Sequence, residues 1–188
     1  MDKQKTAIIF EVREFCLHDG PGVRTTVFFK GCPLRCAWCH NPEGLSPQPE
    51  MLFKERQCVR CGNCRNVPPD NIAADLDRVC PQRAKTVCGR PWTVHELVRE
   101  LLSNADVFAS SGGGVTFSGG EPLLQADFLV ELADCLHGDC QHGDRPLGGS
   151  HGDRPLHLAV ETSGYAPAAS YQAVVSRMDL VFQDLKHP

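Results

Sequence analysis

Cys32-Pro-Leu-Arg-Cys36-Ala-Trp-Cys39 places three thiols within eight residues, spaced x3 and then x2. A structural zinc or a closed iron–sulfur cluster takes four protein ligands. This loop offers three, with His40 as the nearest further donor. Three thiolates on a [4Fe–4S] cluster leave one iron open, where a small molecule can bind and react. The spacing therefore points to chemistry more than to structural stapling. The alternative is a zinc site completed by His40, which crowding between adjacent residues on one ion disfavours. Trp38, directly before Cys39, would shield a cluster from water, and Arg35 and Lys30 would offset thiolate charge.

A second set follows at Cys58, Cys61 and Cys64, with Cys80-Pro81 downstream. A Cys-x2-Cys-x2-Cys run with a later Cys-Pro is the bacterial ferredoxin pattern. Cys58, Cys61, Cys64 and Cys80 are thus expected to hold one closed auxiliary [4Fe–4S] cluster, with zinc as the runner-up. The chain has 11 cysteines. Cysteines this close bridge each other only with strain, and Ala7-Ile8-Ile9-Phe10 is too short for a signal-peptide core. Metal centres are therefore favoured over disulfides. Cys88 has no assignment, and Cys16, Cys135 and Cys140 read as ordinary thiols.

The elements around these loops read as α/β. Ala7–Arg13 and Thr25–Lys30 are expected strands, the second a β-branched and aromatic run ending two residues before Cys32. Loops at the carboxyl ends of strands are where α/β folds place their sites. Periodicity disappears from 46 to 90, which reads as a cysteine-rich insert between 1–45 and 91–188. Thr93 with Glu96 forms a capping box for a helix through Leu97, Val98, Leu101 and Leu102. Strands are expected at Val115–Ser118, His157–Thr162 and Leu180–Lys186, and helices around Phe128–Leu136 and Pro167–Arg177. The alternation argues for a parallel sheet with helices outside. His-Gly-Asp-Arg-Pro-Leu occurs twice, at 142–147 and 151–156, so 138–156 reads as a surface loop expanded by duplication.

The apolar fraction of 41% and charged fraction of 22% are ordinary for a soluble protein. A net charge of -4 gives no argument for nucleic acid or an anionic membrane as partner. No apolar run approaches the roughly 18 residues of a membrane span, and a cytoplasmic location is expected.

Cys32-x3-Cys36-x-Trp38-Cys39 resembles the cluster loop of the radical S-adenosylmethionine superfamily. Asp19-Gly20-Pro21-Gly22-Val23-Arg24, Phe28-Phe29-Lys30-Gly31-Cys32, Cys39-His40-Asn41-Pro42-Glu43, Ser118-Gly119-Gly120-Glu121-Pro122 and Asp184-Leu185-Lys186 narrow the resemblance to the activating enzymes of glycyl radical enzymes, of the pyruvate formate-lyase activating type. It covers nearly the whole chain, apart from 138–156. It implies a partial (β/α) barrel, of which this chain holds about four of six strands, the C-terminal part being absent. It implies S-adenosylmethionine on the open iron, with Trp38 and His40 beside it. In the family the Gly119-Gly120 segment holds the ligand's amino group, Glu121 supports the turn, and Asp184-Leu185-Lys186 serves its carboxylate. Glu161 stands where better-known relatives carry Asp near a monovalent-cation site.

The implied activity is reductive cleavage of S-adenosylmethionine to a 5′-deoxyadenosyl radical, which takes hydrogen from a glycine of a partner glycyl radical enzyme. A flavodoxin- or ferredoxin-type protein would donate the electron, and the Asp19–Arg24 loop would touch the partner's glycine segment. A radical enzyme for a small molecule is the alternative, disfavoured by the insert and by Asp19–Arg24. An inactive fragment is a further alternative, as is a non-catalytic iron–sulfur electron carrier, in which an intact Gly-Gly-Glu and Asp-x-Lys would serve nothing.

Overall fold

The computed structural model describes residues 5–67, 76, 78–139 and 156–186. Most of the expected loop at 138–156, including the duplicated motif and Cys140, lies outside the described residues.

Strand β1 (Thr6–Cys16) runs antiparallel to β2 (Arg24–Phe29). All six residues of β2 are buried, as suits a β-branched and aromatic strand covered on both faces. β3 (Glu50–Phe53) and β4 (Lys85–Cys88) form a separate two-stranded antiparallel sheet, with Glu50 opposite Cys88. This hairpin brings the start and finish of the cysteine-rich segment together.

β5 (Arg90–Thr93) then returns to the main sheet beside β1. Its sequence, Arg-Pro-Trp-Thr, did not read as a strand, because proline cannot donate to a ladder. An edge position tolerates Pro91, and β5 is the edge of the sheet. Helix α1 (Val94–Leu102) starts from the expected capping box. Glu96 N–H donates to Thr93 Oγ1 at 3.2 Å, and Thr93 N–H donates to Glu96 Oε2 at 2.8 Å. A short helix, α2 (Ala105–Ser111), precedes β6 (Gly114–Gly119); it was not expected. The chain continues through α3 (Ala126–Leu136), β7 (His157–Thr162), α4 (Ala168–Val175) and β8 (Leu180–Gln183). Cys135 in α3 is disulfide-bonded, so it is not the ordinary thiol expected.

The six-stranded sheet has the order β5-β1-β2-β6-β7-β8. β2, β6, β7 and β8 are mutually parallel, and β1 and β5 are antiparallel additions at one side. Alternation along the strands splits the sheet into two chemically different faces. Val27, Phe29, Val115, Phe117, Leu158 and Val160 join Leu97, Leu101, Leu129, Leu132 and Val174 in the apolar core beneath the helices. Arg24, Thr26, Thr116, Ser118 and Glu161 occupy the other face and bond to one another or to the Asp19 loop. The polar face leads to the carboxyl ends of the parallel strands, where the first cysteine loop sits.

Candidate functional site

The loop carrying Cys32, Cys36 and Cys39 leaves the end of β2 and is tied at both of its ends. Gly31 N–H donates to Gly44 O at 2.7 Å, and Cys32 N–H to Leu45 O at 3.2 Å. The segment after β6 is laced to the same loop: Gly120 N–H donates to Phe29 O at 2.8 Å and Glu121 N–H to Gly31 O at 2.7 Å. Asn41 Nδ2 reaches Gly119 O at 3.3 Å. Packing alone demands both glycines. A Cβ on Gly119 would lie 2.4 Å from Phe29 N, and one on Gly120 would lie 2.4 Å from Gly31 O. Gly119 also has φ +112°, which side-chain-bearing residues rarely adopt.

These segments enclose a cavity of about 300 Å³. Cys32, Cys36, Trp38, Cys39 and His40 of the first loop line it together with Gly119 and Gly120 at the end of β6 and with Asp184 and Lys186 beyond β8. Ser118, Glu161, Thr162 and Ser163 line it as well. The site residues expected from three distant parts of the chain therefore meet in one place.

Two expected residues are not on the wall. Leu185 is 92% exposed and does not line the cavity, unlike its neighbours Asp184 and Lys186. β8 ends at Gln183, so all three lie beyond the strand rather than within it. Glu121 lies underneath, fully buried. Its Oε1 accepts from Leu123 N–H and Thr162 Oγ1, and its Oε2 accepts from Ser163 N–H and Ser163 Oγ. Ser163 carried no signal in the sequence, because its partner is 42 residues away.

Burial pushes the Cys32 thiol above its ordinary range, against a lowering from the Leu34 backbone N–H. Burial likewise raises the Glu161 carboxyl, whose Oε2 accepts from Ser118 Oγ at 2.5 Å. The Lys186 ammonium is raised by its hydrogen bond to Asp184, 2.6 Å away. Lys30 does not face the thiols as expected; its ammonium meets Glu43 O and Glu50. Arg24 is fully buried and donates to Thr116 Oγ1, Pro21 O and Val115 O. It braces the Asp19–Arg24 loop from inside and is unavailable to a partner.

Cys58, Cys61, Cys64 and Cys80 line a second, smaller cavity with Val59, Pro81 and Lys85. Backbone N–H groups of Lys85, then Ala84 and Gln82, hold the Cys80 thiol below its ordinary range. Cys88 is apart from them, buried at the end of β4. Among the described residues no three His, Cys, Asp or Glu side chains are already gathered as a single metal ion would need. Both thiol sets instead border spaces between loops.

A family model described as a 4Fe-4S single cluster domain matches residues 18–145. The chain is 36% identical to the benzylsuccinate synthase activating enzyme of Thauera aromatica over 97% of its own length and 57% of that protein. The chain belongs to the family that the matching model describes, the 4Fe-4S single cluster domains. The choline trimethylamine-lyase activating enzyme of Oleidesulfovibrio alaskensis is 38% identical over 98% of this chain and 61% of that one. The 4-hydroxyphenylacetate decarboxylase activating enzyme of Clostridioides difficile is 36% identical over the same shares. The chain thus spans about three fifths of the length of these activating enzymes. QueE from Escherichia coli superposes with a TM-score of 0.49 at 15% identity, covering 86% of this chain and 54% of that one. Among the described residues no helix is long and apolar enough to cross a membrane.

Proposed function

We propose that this chain forms the S-adenosylmethionine site of an enzyme that installs a radical on a glycine of a partner glycyl radical enzyme. The observation that carries the reading is the shared cavity, in which three thiols from the β2 loop face the Gly119-Gly120 turn and Lys186. Cys32, Cys36 and Cys39 would hold a [4Fe–4S] cluster by three corners. When bound, that cluster with S-adenosylmethionine supplies one-electron reductive cleavage and hydrogen abstraction from the partner's glycine.

The chain's own residues bind, orient and exclude water. The Gly119-Gly120 turn exposes backbone to the ligand's amino group, and Lys186 offers its ammonium to the carboxylate. Asp184 holds that ammonium in place until the ligand arrives. Trp38, 62% exposed, stands at the rim with His40, where a bound molecule would cover it. Glu121 fixes the turn from below. The four parallel strands would belong to a partial barrel. Segments 1–45 and 91–188 would make that barrel, and 46–90 an inserted module.

Cys58, Cys61, Cys64 and Cys80 would hold a closed auxiliary [4Fe–4S] cluster, supported by their common cavity and by the amides around Cys80. The electron would come from a flavodoxin- or ferredoxin-type donor, and the setting would be the cytoplasm. The test is anaerobic reconstitution and reduction, followed by S-adenosylmethionine. The expected result is a changed cluster EPR signal and formation of 5′-deoxyadenosine. An unchanged signal with no nucleoside product would overturn the reading.

A further inference from the structure

Lys30 is a fully buried lysine that the proposed chemistry does not use. Its side chain is 0% exposed, and its Nζ donates to Glu43 O at 2.7 Å and to Glu50 Oε2 at 2.9 Å. A buried ammonium persists only when paired and hydrogen-bonded, so these contacts are strongly determined. They join parts of the chain with different duties. Glu43 lies in the turn that closes the cysteine loop, next to Gly44, whose carbonyl accepts from Gly31 N–H. Glu50 opens β3, the entry strand of the insert.

The exit of the insert meets the same side chain. Gly89 follows β4, and a Cβ there would lie 2.3 Å from Lys30 Cδ, so the lysine stem passes directly over that glycine. Cys88, opposite Glu50 in the hairpin, places its thiol 3.8 Å from Glu43 O. The closing turn of the thiol loop and both ends of the 46–90 segment therefore converge on one lysine side chain. The lysine backbone is anchored as well, with its N–H on Ile8 O at 2.9 Å and its carbonyl accepting from Gln125 Nε2 at 2.8 Å.

We propose that Lys30 is a positioning residue through which the insert sets the order of the Cys32–Cys39 loop. A disturbance of the hairpin base at Glu50 is passed to Glu43 O through the shared ammonium, and from there to the Gly31–Gly44 and Cys32–Leu45 bonds. The inference concerns the loop itself and holds whichever metal each thiol set binds.

The test is backbone hydrogen exchange on the full chain as isolated, comparing wild type with Lys30→Met, Glu50→Ala and Glu50→Gln. Glu50→Ala alters a residue of the insert and removes its bond to Lys30. It is expected to speed exchange of 31–45 roughly tenfold while leaving α3 at the wild-type rate, because a charge-assisted bond is lost locally. Lys30→Met should do the same or more. Glu50→Gln, which keeps an oxygen for the ammonium, should restore much of the protection. Faster alkylation of Cys32, Cys36 and Cys39 should accompany the exchange. If Glu50→Ala loosens only 50–53 and 85–88, the coupling is wrong. It is equally wrong if exchange rises uniformly, α3 included, since the lysine would then serve general stability. Should Lys30→Met fail to fold, the two Glu50 variants decide the matter alone.

Discussion

Thr162 Oγ1 donates to Glu121 Oε1 at 2.6 Å, joining the end of β7 to the turn that follows β6. Glu121 has no exposure to solvent, so this hydroxyl and the two Ser163 donors take the place of water around a carboxylate. The Gly119-Gly120 turn, which faces the cavity, is thereby fixed by a side chain that never enters it.

Replacing Glu121 by Ala would strand Leu123 N–H, Ser163 N–H and two hydroxyls in a buried space. The expected cost is about 3 kcal/mol or more in denaturant unfolding, with S-adenosylmethionine binding weakened in the folded fraction. Glu121→Gln keeps one oxygen acceptor and should lose less. Equal stability of wild type and Glu121→Ala would mean that the turn holds itself.

Glu161 offers a test by pH. Burial raises its pKa above the ordinary 4.5, so folding favours its protonated form. The stability this gives is fully present below the unfolded pKa and disappears as pH rises through the raised folded value. Glu161→Gln, which still accepts from Ser118 Oγ, removes the dependence. The iron-free variant should therefore gain on wild type as pH increases from acid to neutral, in urea unfolding midpoints at a series of pH values. Parallel curves for the two proteins would refute the assignment.

The cysteine loop was legible because ligand chemistry constrains short spacings, and Thr93 with Glu96 because a capping box is local. Pro91 concealed β5, since only the edge position revealed by the folded sheet makes a proline acceptable there. Ser163 and Lys30 were hidden for another reason. Each owes its role to partners far along the chain or across a hairpin, and residue type alone does not announce that. Leu185 was grouped with Asp184 and Lys186 by motif, but in the folded chain it is exposed while they line the cavity.

The two thiol sets should separate by metal content. Reconstituted wild type is expected to hold about eight iron atoms per chain, as two four-iron clusters require. Cys61→Ser, altering an exposed thiol of the second set, should hold about four and still respond to S-adenosylmethionine. Wild-type iron near four, with zinc present, would reassign the second site.

Lys186 is the sharpest probe of the first cavity, because its ammonium has a carboxylate neighbour. Asp184 Oδ2 lies 2.6 Å away, and the Lys186 side chain is 31% exposed. A ligand carboxylate must compete with or join that pair. Lys186→Met keeps the stem and deletes the charge. Because the pair is partly solvated, its loss should change unfolding stability by less than about 1 kcal/mol. A charge-assisted bond to the ligand is worth more, so S-adenosylmethionine affinity should fall roughly tenfold or further. Calorimetric titration of the reconstituted variant reads that difference directly. A variant with unchanged affinity would take Lys186 out of the site, leaving the ammonium as a partner of Asp184 alone.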